Sequence, residues 1–309
     1  MLVTDITSID AVQGALSAQD YVCDRRLATS TFLSLSLRRP LLLEGEPGVG
    51  KTELAKALSS VLGAELIRIQ CYEGLDVNQT AYEWNVARQL LKIRLAEASH
   101  RLQDQAAEHA MERDLYQRDM LIERPLLKAL TRETPPVLLI DEIDRADEPF
   151  DAFLLEMLAE YQLTIPELGT IRATAPPIVL ITSNRTRELH DALKRRCFYH
   201  WMDFPSRERE NAIVAKRVPA ASESLSRQAV AFVQRMREVE LQKRPGVAET
   251  IDWVNALEAL NVSLLDPETI EQTIGILLKH QDDIAQLEGI STAKLLDEVR
   301  ARGWLEEGH

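Results

Sequence analysis

Gly45-Glu46-Pro47-Gly48-Val49-Gly50-Lys51-Thr52 combines residue types suited to holding a polyphosphate. It satisfies every fixed position of the pattern G-x-x-x-x-G-K-[ST], between an apolar strand and an amphipathic helix. Glycines let the backbone come close enough for successive N–H groups to donate to phosphate oxygens. The following helix adds the positive end of its dipole, roughly half a charge. Lys51 is placed to reach the β- and γ-phosphates and Thr52 to coordinate Mg²⁺, with Glu53 next in the opening turn. A second group lies downstream, where the apolar run Val137-Leu138-Leu139-Ile140 ends in Asp141-Glu142. Two acids closing a buried strand are costly unless a cation meets them. Magnesium at the phosphate loop would meet them, with Asp141 as its carboxylate ligand and Glu142 polarising an attacking water. Asn184, after the run Ile178-Val179-Leu180-Ile181, could reach the γ-phosphate or that water, although an isolated Asn is most often a turn residue.

The elements around these groups favour a parallel sheet. Pro40-Leu41-Leu42-Leu43 predicts the strand entering the loop, and Leu54, Ala57, Leu58, Val61 and Leu62 predict the helix leaving it, with Gly63 as its stop. Glu65 to Gln70 predicts a second strand, so the chain begins as a βαβ unit, an arrangement that favours a sheet covered by helices on both faces. Residues 1–39 read mostly as helix. Gln89 to Arg124 has no Gly or Pro and alternates charge sign, which predicts one or two exposed helices. Phe150 to Tyr161 predicts an amphipathic helix, and Leu163 to Ile171 two short strands joined by a turn. Phe198 to Met202 reads as a last strand. Beyond Ser206 the pattern is almost wholly helical. The expected division is an α/β nucleotide-binding domain over 1–204, carrying N-terminal helices and the 89–124 insertion, and a helical lid over 205–309.

Composition sets further bounds. The chain has 309 residues, 45% of them hydrophobic, which allows a sizeable core and about two domains. Its 36 basic and 49 acidic residues give a net charge of −13, which argues against broad non-specific nucleic-acid binding. Cys23, Cys71 and Cys197 show no metal-ligand spacing and read as reduced thiols of a cytoplasmic protein. There is no signal-peptide pattern at Met1 to Asp5 and no apolar run long enough to span a membrane.

Taken together, the ordered set resembles an AAA+ ATPase, and more narrowly the MoxR family. The carriers are Gly45 to Thr52, Leu138 to Ala146, the short hairpin, Thr182-Ser183-Asn184, and the basic pair before Cys197. Finer detail is similar to the MoxR-type ATPases that mature molybdenum-containing carbon monoxide dehydrogenases. It rests on Gln70 to Asp76, Tyr82 to Asn85 and Ser183 to Leu193. The resemblance implies bound ATP and Mg²⁺, Asn184 as a nucleotide sensor, and a hexameric ring. It also implies Arg196, with Arg195 its close competitor, as an arginine finger reaching a neighbouring subunit. Backbone contacts to adenine are expected from Asp20-Tyr21-Val22-Cys23. A metalloenzyme client and a von Willebrand A-domain protein are the implied partners. One departure stands out. Where the family places a sensor arginine at the opening of a lid helix, this chain has Ala248, with Arg244 as a conceivable replacement.

Three functions follow from different classes: an ATP-driven remodeller of a protein client, a nucleic-acid motor, and a nucleotide-gated scaffold with little turnover. No Asn-Lys-x-Asp motif follows the acidic strand, which argues against GTP as the ligand.

Overall fold

The computed structural model describes residues 6–76, 80–98 and 105–302. Helices α1 (Ile9–Ser17) and α2 (Arg25–Leu37) precede β1 (Leu41–Gly45), α3 (Lys51–Leu62) and β2 (Leu66–Gln70). Next come β3 (Tyr82–Trp84), α4 (Val86–Ala98), α5 (Gln105–Leu115), β4 (Leu121–Glu123), α6 (Pro125–Thr131) and β5 (Val137–Asp141). Helix α7 (Glu148–Glu160) leads to the hairpin β6 (Gln162–Ile165) and β7 (Gly169–Arg172), then β8 (Ile178–Ser183), α8 (Asp191–Arg196) and β9 (Phe198–Met202). Among the described residues six helices follow: α9 (Arg207–Arg217), α10 (Glu223–Met236), α11 (Val247–Ala259), α12 (Pro267–Leu277), α13 (Gln281–Ile290) and α14 (Thr292–Ala301).

The five-stranded sheet has the order β2-β5-β8-β1-β9. The pairs β2·β5, β5·β8 and β8·β1 are parallel, with Leu66 opposite Val137, Leu138 opposite Val179 and Leu42 opposite Ile181. Strands β1 and β5 are buried at every position, as strands covered on both faces must be. Their carboxyl ends, with that of β8, lie at one edge of the sheet, the edge where ligands of open α/β sheets bind.

By contact the chain forms two units. One comprises Met1–Ile9, Thr29–Glu44 and Leu58–His200, and the other Asp10–Ala28, Gly45–Ala57 and Trp201–His309. Leu42, Ile67, Leu138, Ile140, Phe150, Leu154 and Ile181 belong to the core of the first. The second is centred on Phe232 and Trp253, whose rings lie 5.7 Å apart, and the Trp253 indole N–H donates to Thr273 Oγ1 at 2.8 Å. Local signals start its helices. The side chains of Ser206, Ser222 and Asp266 each accept from a backbone N–H of the opening turn, and Pro267 takes the first position of α12. All three cysteines are buried and free. Burial pushes the Cys23 thiol up to about 11 and those of Cys71 and Cys197 up to about 12, so they stay protonated and weakly nucleophilic.

The inserted stretch differs from a plain helical excursion. Residues 99–104 lie outside the described residues. The first helix starts earlier than expected, at Val86, and an antiparallel ladder closes the insertion by pairing Tyr82 with Glu123 and Trp84 with Leu121. Three-residue strands nearly forty positions apart show no periodicity that a sequence reading could detect. Helix α4 buries none of its side chains, and Val86, Leu90, Leu91 and Leu95 are each more than half exposed.

A buried ion pair ties the C-terminal helices together. Arg237 Nη1 and Nη2 donate to the two oxygens of Glu210 at 2.6 and 2.7 Å, and Nε donates to the Pro245 carbonyl at 2.7 Å. Glu210 also accepts from Thr250 Oγ1 and Gln234 Nε2, and the guanidinium lies 4.6 Å from the Phe204 ring centroid. Glu210 is fully buried and Arg237 nearly so. Arg237→Met should therefore cost about 3–5 kcal/mol, because it strands a buried carboxylate. Urea unfolding would register the loss, and the double variant with Glu210→Met should recover much of it.

Candidate nucleotide site

The phosphate loop leaves β1 and runs directly into α3. Gly48 has φ of 77°, in the left-handed region that side chains disfavour. A Cβ there would lie 2.9 Å from Glu249 Oε2 and 3.1 Å from Gly246 Cα, so the position is closed for space as well. Lys51 is buried, and its ammonium donates to the carbonyls of Gly45 and Glu46 at 2.7 and 2.8 Å. Glu53, one residue past the motif, is held in ion pairs by Lys56 and Arg217.

Helix α11 meets the same loop through its backbone. The N–H groups of Val247 and Ala248 donate to the Gly48 carbonyl at 3.0 and 3.3 Å. Gly246 packs so closely that a Cβ on it would stand 2.8 Å from both Gly48 Cα and the Pro47 carbonyl oxygen. Glu249 Oε2 accepts from the Gly246 N–H at 3.0 Å, the half of a capping box that a glycine N-cap permits. The side chain expected to sense nucleotide is absent at Ala248, and Arg244 is exposed. The place is occupied by a helix start bound to the loop.

The adenine-side expectation fell on Tyr21 and Val22. The Tyr21 hydroxyl donates to the Gly50 carbonyl at 3.3 Å, and burial pushes its pKa well above the usual phenol value. The Val22 carbonyl accepts from Arg209 Nε and Nη2 at 3.2 and 3.1 Å, so a guanidinium already engages that backbone acceptor.

At the carboxyl ends of β5 and β8 the structure brings Asp141, Glu142 and Asn184 together. Asp141 is 2% exposed; its Oδ1 accepts from the Thr182 hydroxyl at 2.5 Å, and its Oδ2 from Arg68 Nε at 3.0 Å. Thr182 Oγ1 in turn accepts from the Glu142 N–H at 2.9 Å, so one hydroxyl fixes both acids. Glu142 has φ of 56° and ψ of 51°, a left-handed conformation that costs a non-glycine residue about 1–2 kcal/mol. Its Oε1 lies 3.4 Å from Asn184 Nδ2, while Oε2 accepts from Gln70 Nε2 at 3.0 Å and pairs with Arg145 at 2.9 Å.

Asp144 anchors the loop that carries Asn184. It accepts from the N–H of Asn184 at 3.1 Å and from the N–H and hydroxyl of Thr186 at 2.9 and 2.7 Å. Burial opposes its ionisation, but those donors prevail and hold the carboxyl below the usual carboxylate range. Arg187 fastens the same loop to α7 with two bonds to Asp151, at 2.8 and 2.9 Å.

Arg195 and Arg196 close α8 and are exposed. Their carbonyls accept from Arg39, whose guanidinium lies 4.9 Å from the Phe198 ring centroid. Neither of their own guanidinium groups has an ion pair or hydrogen bond among the described residues. Sequence motifs did not single out Thr182, Arg68, Gln70 or Asp144 as site residues. The signal that was present is the alternation of β2, which exposes Arg68 and Gln70 while Ile67 and Ile69 are buried.

A glycine-rich loop that leaves a strand and opens a helix, in a chain whose parallel sheet also carries paired acids at a strand end, defines a phosphate-loop nucleotide-binding protein. The family model of the AAA domain, dynein-related subfamily, matches residues 40–197, and the chain belongs to that family. It is 25% identical over 246 residues to an uncharacterised protein of Staphylococcus haemolyticus, covering 77% of this chain and 82% of that one. Over 228 residues it is 24% identical to an uncharacterised protein of Staphylococcus epidermidis, covering 72% and 76%. A solved structure, the alanine-to-serine variant of Thermotoga maritima RuvB, is similar at a TM-score of 0.46 and 16% identity, covering 90% of this chain and 74% of that one. Among the described residues no helix is long and apolar enough to cross a membrane.

Proposed function

We propose that this chain is a MoxR-type ATPase that hydrolyses ATP to remodel or mature a protein client, a partner metalloenzyme in the narrowest reading. The observation that carries the hydrolytic part is the Asp141–Thr182–Glu142–Asn184 cluster at the sheet edge from which the phosphate loop departs. Its left-handed turn sets the Glu142 carboxylate beside the Asn184 amide, an arrangement that supports a role in holding a water.

The donor set fits a magnesium nucleotide. Asp141 is a buried carboxylate that already attracts a cation, and the loop supplies a lysine and Thr52. Thr52 and Asp141 would hold Mg²⁺, which when bound neutralises charge on the phosphates. Loop N–H groups and Lys51 orient the β- and γ-phosphates, Glu142 draws the proton from the attacking water, and Asn184 fixes that water or the γ-phosphate. Arg196 of an adjacent subunit in a hexameric ring would stabilise charge on the transferring phosphoryl group.

A protein client is favoured over nucleic acid by the net charge of −13. The exposed apolar stripe of α4 is a further reason to look for a protein partner. ATP turnover that disappears in Lys51→Ala, together with ATP-dependent retention of a metalloenzyme subunit or a von Willebrand A-domain protein by Glu142→Gln, is the expected result. A steeply salt-dependent affinity for DNA or RNA, with no protein retained, would favour the motor instead.

A further inference from the structure

Asp141 is met by a guanidinium in this structure, and the contact is one-sided in a telling way. Arg68 reaches from β2, the edge strand whose Gln70 lies opposite Asp141, and places Nε and Nη2 at 3.0 and 2.5 Å from Oδ2. The carboxylate side chain is 3% exposed, whereas the arginine side chain is 48% exposed. Arg68 borders a cavity of about 920 Å³ also lined by Gln70, Tyr72, Trp84 and Arg124. The side chain can therefore leave Asp141 without crossing the core. Nη2 also donates to Gln70 Oε1 at 2.5 Å, and the Gln70 amide donates to Glu142, so the same guanidinium is linked to both acids.

Two donors on a single oxygen occupy the lone pairs that a hard dication would require, since magnesium demands close, near-octahedral oxygen contacts. A guanidinium at that oxygen would also repel such an ion. We propose that Arg68 is a resident counter-ion of Asp141 that competes with Mg²⁺ and so sets the magnesium requirement of nucleotide binding. The inference rests on the nucleotide-site reading above. Without magnesium, Arg68 keeps a buried carboxylate from standing uncompensated beside a polyphosphate. When Mg²⁺–nucleotide binds, Arg68 yields Oδ2 and swings into the cavity. Arg68 is then a positioning residue, acting through Asp141.

The test is nucleotide binding by calorimetry, with ADP and a non-hydrolysable ATP analogue, across a magnesium series that includes excess EDTA. Arg68→Gln should lower the half-saturating magnesium concentration roughly threefold to tenfold, the range expected of a charge-assisted pair with one half-exposed member. In EDTA the same variant should bind nucleotide more weakly than the unsubstituted protein. Arg68→Lys, which keeps the charge with fewer aligned donors, should show a smaller shift in the same direction. It carries the comparison should Arg68→Gln fail to fold. An unchanged or raised magnesium requirement in a folded variant overturns the proposal, leaving Arg68 an ordinary surface partner. If the unsubstituted protein binds no nucleotide at any magnesium concentration, the nucleotide-site reading falls, and the proposal with it.

Discussion

Glu142→Gln should bind ATP as the unsubstituted protein does and turn it over about 10²–10⁴ times more slowly, the range a positioned general base contributes. The substitution keeps the side chain's length and its acceptor oxygen, so the contact with Asn184 and the left-handed turn survive. What is lost is the carboxylate's capacity to take a proton. Binding is spared because the phosphate contacts come from elsewhere, from the loop and Lys51. Steady-state phosphate release and direct binding titration separate the two quantities. A variant with unchanged turnover would remove Glu142 from the mechanism. One that lost binding would show that Gln70 and Arg145, which hold Oε2 at 3.0 and 2.9 Å, tolerate no change of charge there.

The contrast between Glu142 and Arg68 shows which parts of such a site a sequence exposes. The strand, loop and helix spanning Pro40 to Leu62 are local: a few apolar residues, glycines at fixed spacing, and Lys-Thr at a helix start. Contiguous residues suffice to read them, and β1 and α3 follow that reading. Asp141 and Glu142 are legible for the same reason, as acids closing an apolar run. Their partners are not. Arg68 meets Asp141 only because β2 and β5 pair in parallel with Gln70 opposite Asp141, and the two residues lie more than seventy positions apart. A one-residue slip in that register would turn Arg68 to the other face. The missing sensor arginine is a similar case. Ala248 could be read as a departure, but the backbone contact that stands in its place, two N–H groups on the Gly48 carbonyl, leaves no side-chain signature. Only Gly246, whose Cβ would collide with Gly48 Cα, Pro47 O and Glu249 Oε2, carries a trace of it.

Arg196→Ala should leave nucleotide binding in place and reduce turnover about 10³–10⁵-fold, the contribution of an arginine finger. The surroundings argue for a group presented outward. Arg39 donates to the carbonyls of both Arg195 and Arg196 at the end of α8, and Cys197 is buried immediately after them, so the corner is fastened by its backbone while both guanidinium groups stay exposed. A solvated basic turn would lose little by truncation, with surface substitutions usually falling within about 0.5 kcal/mol. The two readings therefore differ by orders of magnitude in rate. Arg195→Ala, made in parallel, identifies which of the adjacent residues reaches the phosphoryl group, since the other should change turnover only a few-fold. Mixing supplies the decisive arm. A subunit carrying Lys51→Ala cannot use its own site but retains its arginine, so mixed with Arg196→Ala it should restore part of the lost turnover by completing a neighbour's site. Restoration that grows with the fraction of mixed rings would place the finger in trans. A full loss of turnover with no recovery on mixing, in assemblies shown by sizing to exchange subunits, would instead assign Arg196 to its own subunit's site.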